Sequence, residues 1–232
     1  MKRKLLSLLL VLAMVFTLLP TAAFAADGVG IDLVQDGLRF RMENGGAYVV
    51  EMADKTLTDV RIPSQFADVC DVVGIDEGAF KGTDINSVII PETVTEIGQE
   101  AFMNCKKLVN INFQGSDAYL GERAFKNCTR LVDLYVPATG ILYDGTFAGC
   151  TSLTSITIGK NVKKIGKNAF TGCKKLKSII IKTKKLTTKT VKKGAFNGIS
   201  KKVVVKVPKS KYKTYKKLLP AKGLKKAAKI RK

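Results

Sequence analysis

Histidine and tryptophan are missing from the 232 residues, and acidic side chains stop early. Without histidine, a serine or cysteine nucleophile lacks its usual general base. The last acidic residue is Asp144: from Gly145 to Lys232 there are 27 Lys or Arg and no Asp or Glu. A glycosidase needs a carboxylate pair, and Glu92, Glu96 and Glu100 occupy repeat positions that read as solvent-facing. Cysteines number five, an odd count at regular spacing, which is not the pattern of a disulfide framework. The regular ones lie 22–23 residues apart, whereas zinc favours pairs separated by about two to four residues. Phosphate-loop and dinucleotide fingerprints are absent. These gaps leave no catalytic group, metal or cofactor to expect.

The one long apolar run lies at the N-terminus. Lys2, Arg3 and Lys4 precede Leu5 to Leu19, Pro20 breaks the run, and Ala23-Phe24-Ala25 offers the small residues a signal peptidase reads. Residues 1–25 therefore read as a secretory signal peptide cleaved after Ala25. The run is shorter than the ~20 residues needed to cross a bilayer, and no membrane span is expected in the mature chain, which should be secreted or held at the cell surface.

Phenylalanine supplies the main signal. Phe80, Phe102, Phe125, Phe147, Phe170 and Phe196 follow one another at steps of 22, 23, 22, 23 and 26 residues. Five residues before each lies an aliphatic side chain: Ile75, Ile97, Leu120, Leu142, Ile165 and Val191. Three residues after four of them lies a cysteine: Cys105, Cys128, Cys150 and Cys173. Leu108, Leu131, Leu153 and Leu176 come three further on, and each opens a stretch close to the alternation of a half-buried strand. Such a period means stacked coils, because a single coil of this size cannot bury its own apolar face. Equivalent residues then form columns, and each buried Phe contributes ~1.5–3 kcal/mol. Like residues on stacked coils lie about 4.7–4.9 Å apart. Parallel cysteines at that spacing miss the Cβ separation of about 3.5–4.5 Å that a disulfide needs, so the cysteine column reads as buried thiols donating to backbone carbonyls.

The unit formed by Leu153, Ile156, Ile158, Val162, Ile165, Gly166, Ala169, Phe170 and Cys173 resembles the BspA-type leucine-rich repeat of bacterial surface proteins. The resemblance covers residues 73–208. Thr83 and Ile199 replace cysteine in the outer units, and an insertion lies around Lys184 to Lys193. It implies an α/β repeat solenoid, a right-handed leucine-rich-repeat coil with one short parallel strand per turn. It also implies an adhesin-like role, with a host or bacterial surface protein or glycan as partner.

The flanks read as caps. Residues 26–72 carry a hairpin signal, with Leu38, Phe40 and Met42 alternating before Asn44-Gly45. Val60-Arg61-Ile62-Pro63 is a further extended segment leading into the repeats. Residues 209–232 form a basic tail in which Ser210 is positioned to cap a short helix running through Leu219 and stopped by Pro220, with Tyr212, Tyr215 and Leu219 on one face.

Two surfaces are candidate sites. Outward strand positions line one side of the coil: Asn110, Asn112, Asp133, Tyr135, Ser155, Thr157, Ser178 and Ile180, with Tyr135 as the expected anchor. The alternative is polyanion binding, for example to an anionic wall polymer, through Lys209, Lys211, Lys213, Lys216, Lys217, Lys225 and Lys226. Lysine attracts as a point charge without bidentate base reading, so nucleic acid is not an expected partner. The protein is expected to be a monomer.

Overall fold

The structure is a computed structural model that describes residues 33–115, 118–136 and 140–232. The signal-peptide expectation for residues 1–25 lies outside the described residues. Strands β1 (Leu33–Gln35), β2 (Leu38–Glu43) and β3 (Gly46–Met52) run antiparallel in sequence order, with Asn44-Gly45 as the turn between β2 and β3. Then come β4 (Asp59–Arg61), β5 (Gln65–Phe66) and β6 (Cys70–Ile75). Four coils follow, each with two strands: β7 (Ser87–Ile90) and β8 (Glu96–Ile97), β9 (Asn110–Phe113) and β10 (Tyr119–Leu120), β11 (Asp133–Val136) and β12 (Ile141–Leu142), β13 (Ser155–Ile158) and β14 (Lys164–Ile165). The chain ends with β15 (Ser178–Ile181), β16 (Val204–Lys206), helix α1 (Tyr212–Leu218) and β17 (Lys229–Arg231).

The coils stack in parallel as a β-solenoid of about eight turns. The first strand of each coil pairs with its equivalent in the next. These pairings form two ladders, β4–β7–β9 and β11–β13–β15–β16–β17. The repeat expected one strand per coil; the structure shows a second. The aliphatic position five residues before each Phe falls in the two-residue strands, which extend the hairpin sheet as β3–β6–β8–β10–β12–β14. Ile75 aligns with Ile97, and Leu120 with Leu142. The third side of each coil is built of turns rather than helix.

Those turns explain the residues beside phenylalanine. Two positions past each ring the backbone is left-handed: Gly82, Asn104, Asn127, Gly149, Gly172 and Gly198 all have positive φ. Glycine adopts that conformation without a Cβ penalty, and asparagine tolerates it. At Gly121 a different constraint operates, since an added Cβ would sit 2.6 Å from the backbone of Gly98 and Gln99 in the preceding coil.

The columns meet inside. Successive rings from Phe80 to Phe196 lie parallel, within 2–15°, with centroids 4.9–5.8 Å apart. All six are buried. Stacked pairs of this kind add about 0.5–1.5 kcal/mol each beyond their burial. The backbone carries the same order: the Phe102 amide donates to the Ala124 carbonyl at 2.8 Å, and the Phe125 amide to the Thr146 carbonyl at 2.9 Å. Thr146, which stands where the other coils have alanine, is fully buried and satisfies its hydroxyl on the Tyr143 carbonyl at 2.9 Å. Each column thiol donates to a Phe carbonyl of the preceding coil: Cys105 to Phe80 at 2.9 Å, Cys128 to Phe102 at 3.1 Å, Cys150 to Phe125 at 3.2 Å and Cys173 to Phe147 at 3.3 Å. All five cysteines are free.

The tail departs from its sequence reading. Ser210 makes no capping bond: a 3-10 turn over residues 209–211 precedes α1, and neither element has a side-chain cap. The expected face holds: Tyr215 and Leu219 are buried and Tyr212 is partly buried against the same core. The Tyr215 hydroxyl donates to the Thr183 carbonyl at 3.0 Å and accepts the Leu186 amide at 3.2 Å, which pins the inserted segment. Beyond α1, the Lys222 carbonyl accepts the Phe196 amide at 3.2 Å, as a further coil would.

Candidate functional site

The strand face is set by alternation. In β11, Leu134 and Val136 are buried while Asp133 and Tyr135 are exposed, and β13 and β15 repeat the phase. Register then aligns the outward residues in two rows. One row runs Asp133, Ser155, Ser178, Val204 and Lys229; the other runs Tyr135, Thr157, Ile180, Lys206 and Arg231. Asn110 and Asn112 are also exposed, but they belong to the other ladder, beside Ser87 and Ile89. The expected continuous strand surface is thus divided between β9 and β11.

Within the longer ladder, the Asp133 carboxylate accepts the Ser155 hydroxyl at 2.6 Å and the Thr154 hydroxyl at 2.9 Å. Those two bonds hold its pKa below the ordinary aspartate value. Tyr135 is 53% exposed, and the Lys182 ammonium lies 5.4 Å from its ring centroid.

The tail lysines are spread over α1 and the segments on either side of it. Lys213, Lys216 and Lys217 are exposed on α1, Lys209 and Lys211 precede it, and Lys225 and Lys226 follow it. Lys216 and Lys232 lie 5.7 and 5.5 Å from the Tyr212 ring centroid.

A concentration of lysines that the sequence reading missed lies on the turn side. Lys164, Lys167, Asn168, Lys192, Lys193, Gly194 and Asn197 line an open groove of about 530 Å³ together with Asp144. The signal was present in the repeat. Three residues before each Phe stand Glu77, Gln99, Glu122 and Asp144, and then Lys167 and Lys193.

Glu92, Glu96 and Glu100 differ in their surroundings. Glu92 and Glu96 are exposed, but Glu100 is not solvent-facing: its side chain is 13% exposed, 2.8 Å from Lys81 and 3.3 Å from Arg123. The Lys81 hydrogen bond, reinforced by the neighbouring positive charges, lowers its pKa. Burial raises the column thiols, Cys105 to about 11 and Cys173 to about 12, so they stay protonated and unreactive at neutral pH. Among the described residues there is no group of three or more His, Cys, Asp or Glu able to hold a metal. Nor, among them, is any helix long and apolar enough to cross a membrane.

Comparison with known proteins agrees with this geometry. The BspA-type leucine-rich repeat region matches in six copies over residues 53–141 and 73–203. A leucine-rich repeat protein of T. pallidum is 26% identical, with a TM-score of 0.64 over 78% of this chain and 93% of that one. One from Eubacterium ventriosum is 23% identical, with a TM-score of 0.51 over 75% of this chain and 56% of that one. A leucine-rich cell surface protein from Faecalibacterium prausnitzii is 19% identical, with a TM-score of 0.45 over 79% and 72%. No curated protein matches the sequence. With its repeats, its stacked columns and the matched span all in agreement, the chain belongs to the BspA-type leucine-rich repeat family.

Proposed function

We propose that this chain is a secreted or surface-held binding protein that presents the β11–β17 ladder to a protein or glycan ligand. Proteins of this family are typically associated with the bacterial surface and are generally not catalysts. The observation that carries the reading is the aligned outward row of Tyr135, Thr157, Ile180, Lys206 and Arg231. It combines an aromatic anchor, a hydroxyl, an exposed aliphatic and two cations on one rigid surface. Rigid strands position such groups without the ordering cost of a loop. The Tyr135→Ala chain should bind an array of immobilised host and bacterial surface proteins and glycans at least tenfold more weakly than the wild type, with an unchanged melting temperature. Equal binding by the two chains to every ligand captured would reject the strand face as the site.

A second reading, retention on an anionic wall polymer, has its own support. Ion pairs among the described residues gather in the first half of the chain, and no lysine after Lys107 takes part in one. Those lysines are therefore available to an external polyanion.

A further inference from the structure

We propose that the groove lined by Lys164, Lys167, Lys192 and Lys193 binds the phosphate groups of an anionic bacterial wall polymer. The inference rests on the second reading above and moves its site from the tail to the solenoid body.

Three observations carry it. First, these lysines are brought together by the fold. Ile165 aligns with Val191 across consecutive coils, which puts Lys167 and Lys193 at the same position of neighbouring turns. Like charges at adjacent ladder positions repel, and none of the four has an acidic partner among the described residues. An anion lying between them would relieve that repulsion. Second, the one carboxylate in the groove is outnumbered: Asp144 accepts the Lys167 backbone amide at 2.7 Å, and its single negative charge is set against four lysines. Lys164, Lys167, Lys192 and Lys193 share the groove with Asn168 and Asn197, whose amides can act as further donors. Third, the column changes sign. Glu77 and Glu122 would repel an anion along the first coils, whereas Lys167 and Lys193 attract one along the last. A linear polymer would therefore enter the groove from the C-terminal end.

The residue type points to a polymer rather than to one tightly held ion. Lysine is a strongly hydrated point charge, without the fixed fork with which arginine grips a single oxyanion. Four lysines in an open groove suit a chain of regularly spaced phosphates whose counterions are released on binding.

The test uses the whole mature chain and long-chain inorganic polyphosphate as probe, titrated at low salt. Replacing Lys164, Lys167, Lys192 and Lys193 by Gln should weaken binding at least tenfold. It should also lower the slope of log affinity against log salt by about one per contacting lysine. Replacing Lys209, Lys213, Lys216 and Lys225 by Gln removes the same charge from the tail and should weaken binding less than threefold. The pair Lys167→Gln with Lys193→Gln, both on exposed side chains, serves as the milder variant should the quadruple one melt early. Equal losses in groove and tail variants would overturn the groove while leaving the second reading intact. Failure of the wild-type chain to bind polyphosphate at all would overturn both. Competition by monomeric phosphate at the same phosphate concentration would overturn the polymer assignment.

Discussion

Phe102 and Phe170 sit in equivalent coils on either side of Asp144, and inside the solenoid their surroundings are nearly interchangeable. Each is buried and stacked between parallel rings, and each donates its amide to the next coil, at 2.8 and 2.9 Å. Outside, the two coils have little in common. Around Phe102 the surface is stitched by charge: Glu100 reaches both Lys81 and Arg123, and Lys107 meets Asp84 at 3.0 Å. Around Phe170 stand Lys164, Lys167, Lys174, Lys175 and Lys177 with no acidic residue in their own coil. The contrast separates two requirements. Columns of Phe, Cys and Leu build the coil, so the outer positions are free to carry either structural ion pairs or an unneutralised charge. Exposed ion pairs contribute only about 0–1 kcal/mol each, so the second half forgoes little stability by lacking them.

The largest expected effect probes the shared interior. Phe125→Ala and Phe170→Ala should each cost ~3–5 kcal/mol in urea titrations, because both rings leave a cavity between two stacked neighbours. A cost confined to Phe125 would mean that the basic half is not held by the same column.

That column was legible because one residue type marked it at a fixed interval. Strands such as Glu96–Ile97 were not legible, since two residues are too short to show alternation and each exists only through pairing with its neighbours. Ser210 has the local chemistry of a cap, but the chain there turns tightly before the helix and leaves the hydroxyl without that role. The anchoring of the inserted segment by Tyr215 depends on a contact 32 residues away in sequence, which no local pattern records. The strand rows of the candidate site followed directly from period-two alternation. The break between β9 and β11 did not. The groove lysines carry no local mark, because one exposed lysine resembles another until the coils are aligned.

A smaller effect should distinguish the exteriors. Glu100→Gln is expected to cost ~0.5–1 kcal/mol at neutral pH, from the loss of the charge that bonds Lys81 and pairs with Arg123. The folded pKa of Glu100 lies below its ordinary value of 4.5. Its contribution is therefore complete above that value and is lost as pH falls through the lower folded pKa. Wild type and variant should converge in stability in strong acid, and a difference that persists there would assign the effect to something other than the carboxylate charge.

The coils stack in register around one continuous interior, and thiol labelling tests that stacking most directly. Cys105, Cys128, Cys150 and Cys173 are buried in that interior, whereas Cys70 is partly exposed, 3.7 Å from the Met42 sulfur. A thiol reagent at mildly alkaline pH should modify Cys70 first in the native protein and reach the other four only when the chain unfolds in denaturant. Prompt modification of all five without denaturant would contradict the stacked column.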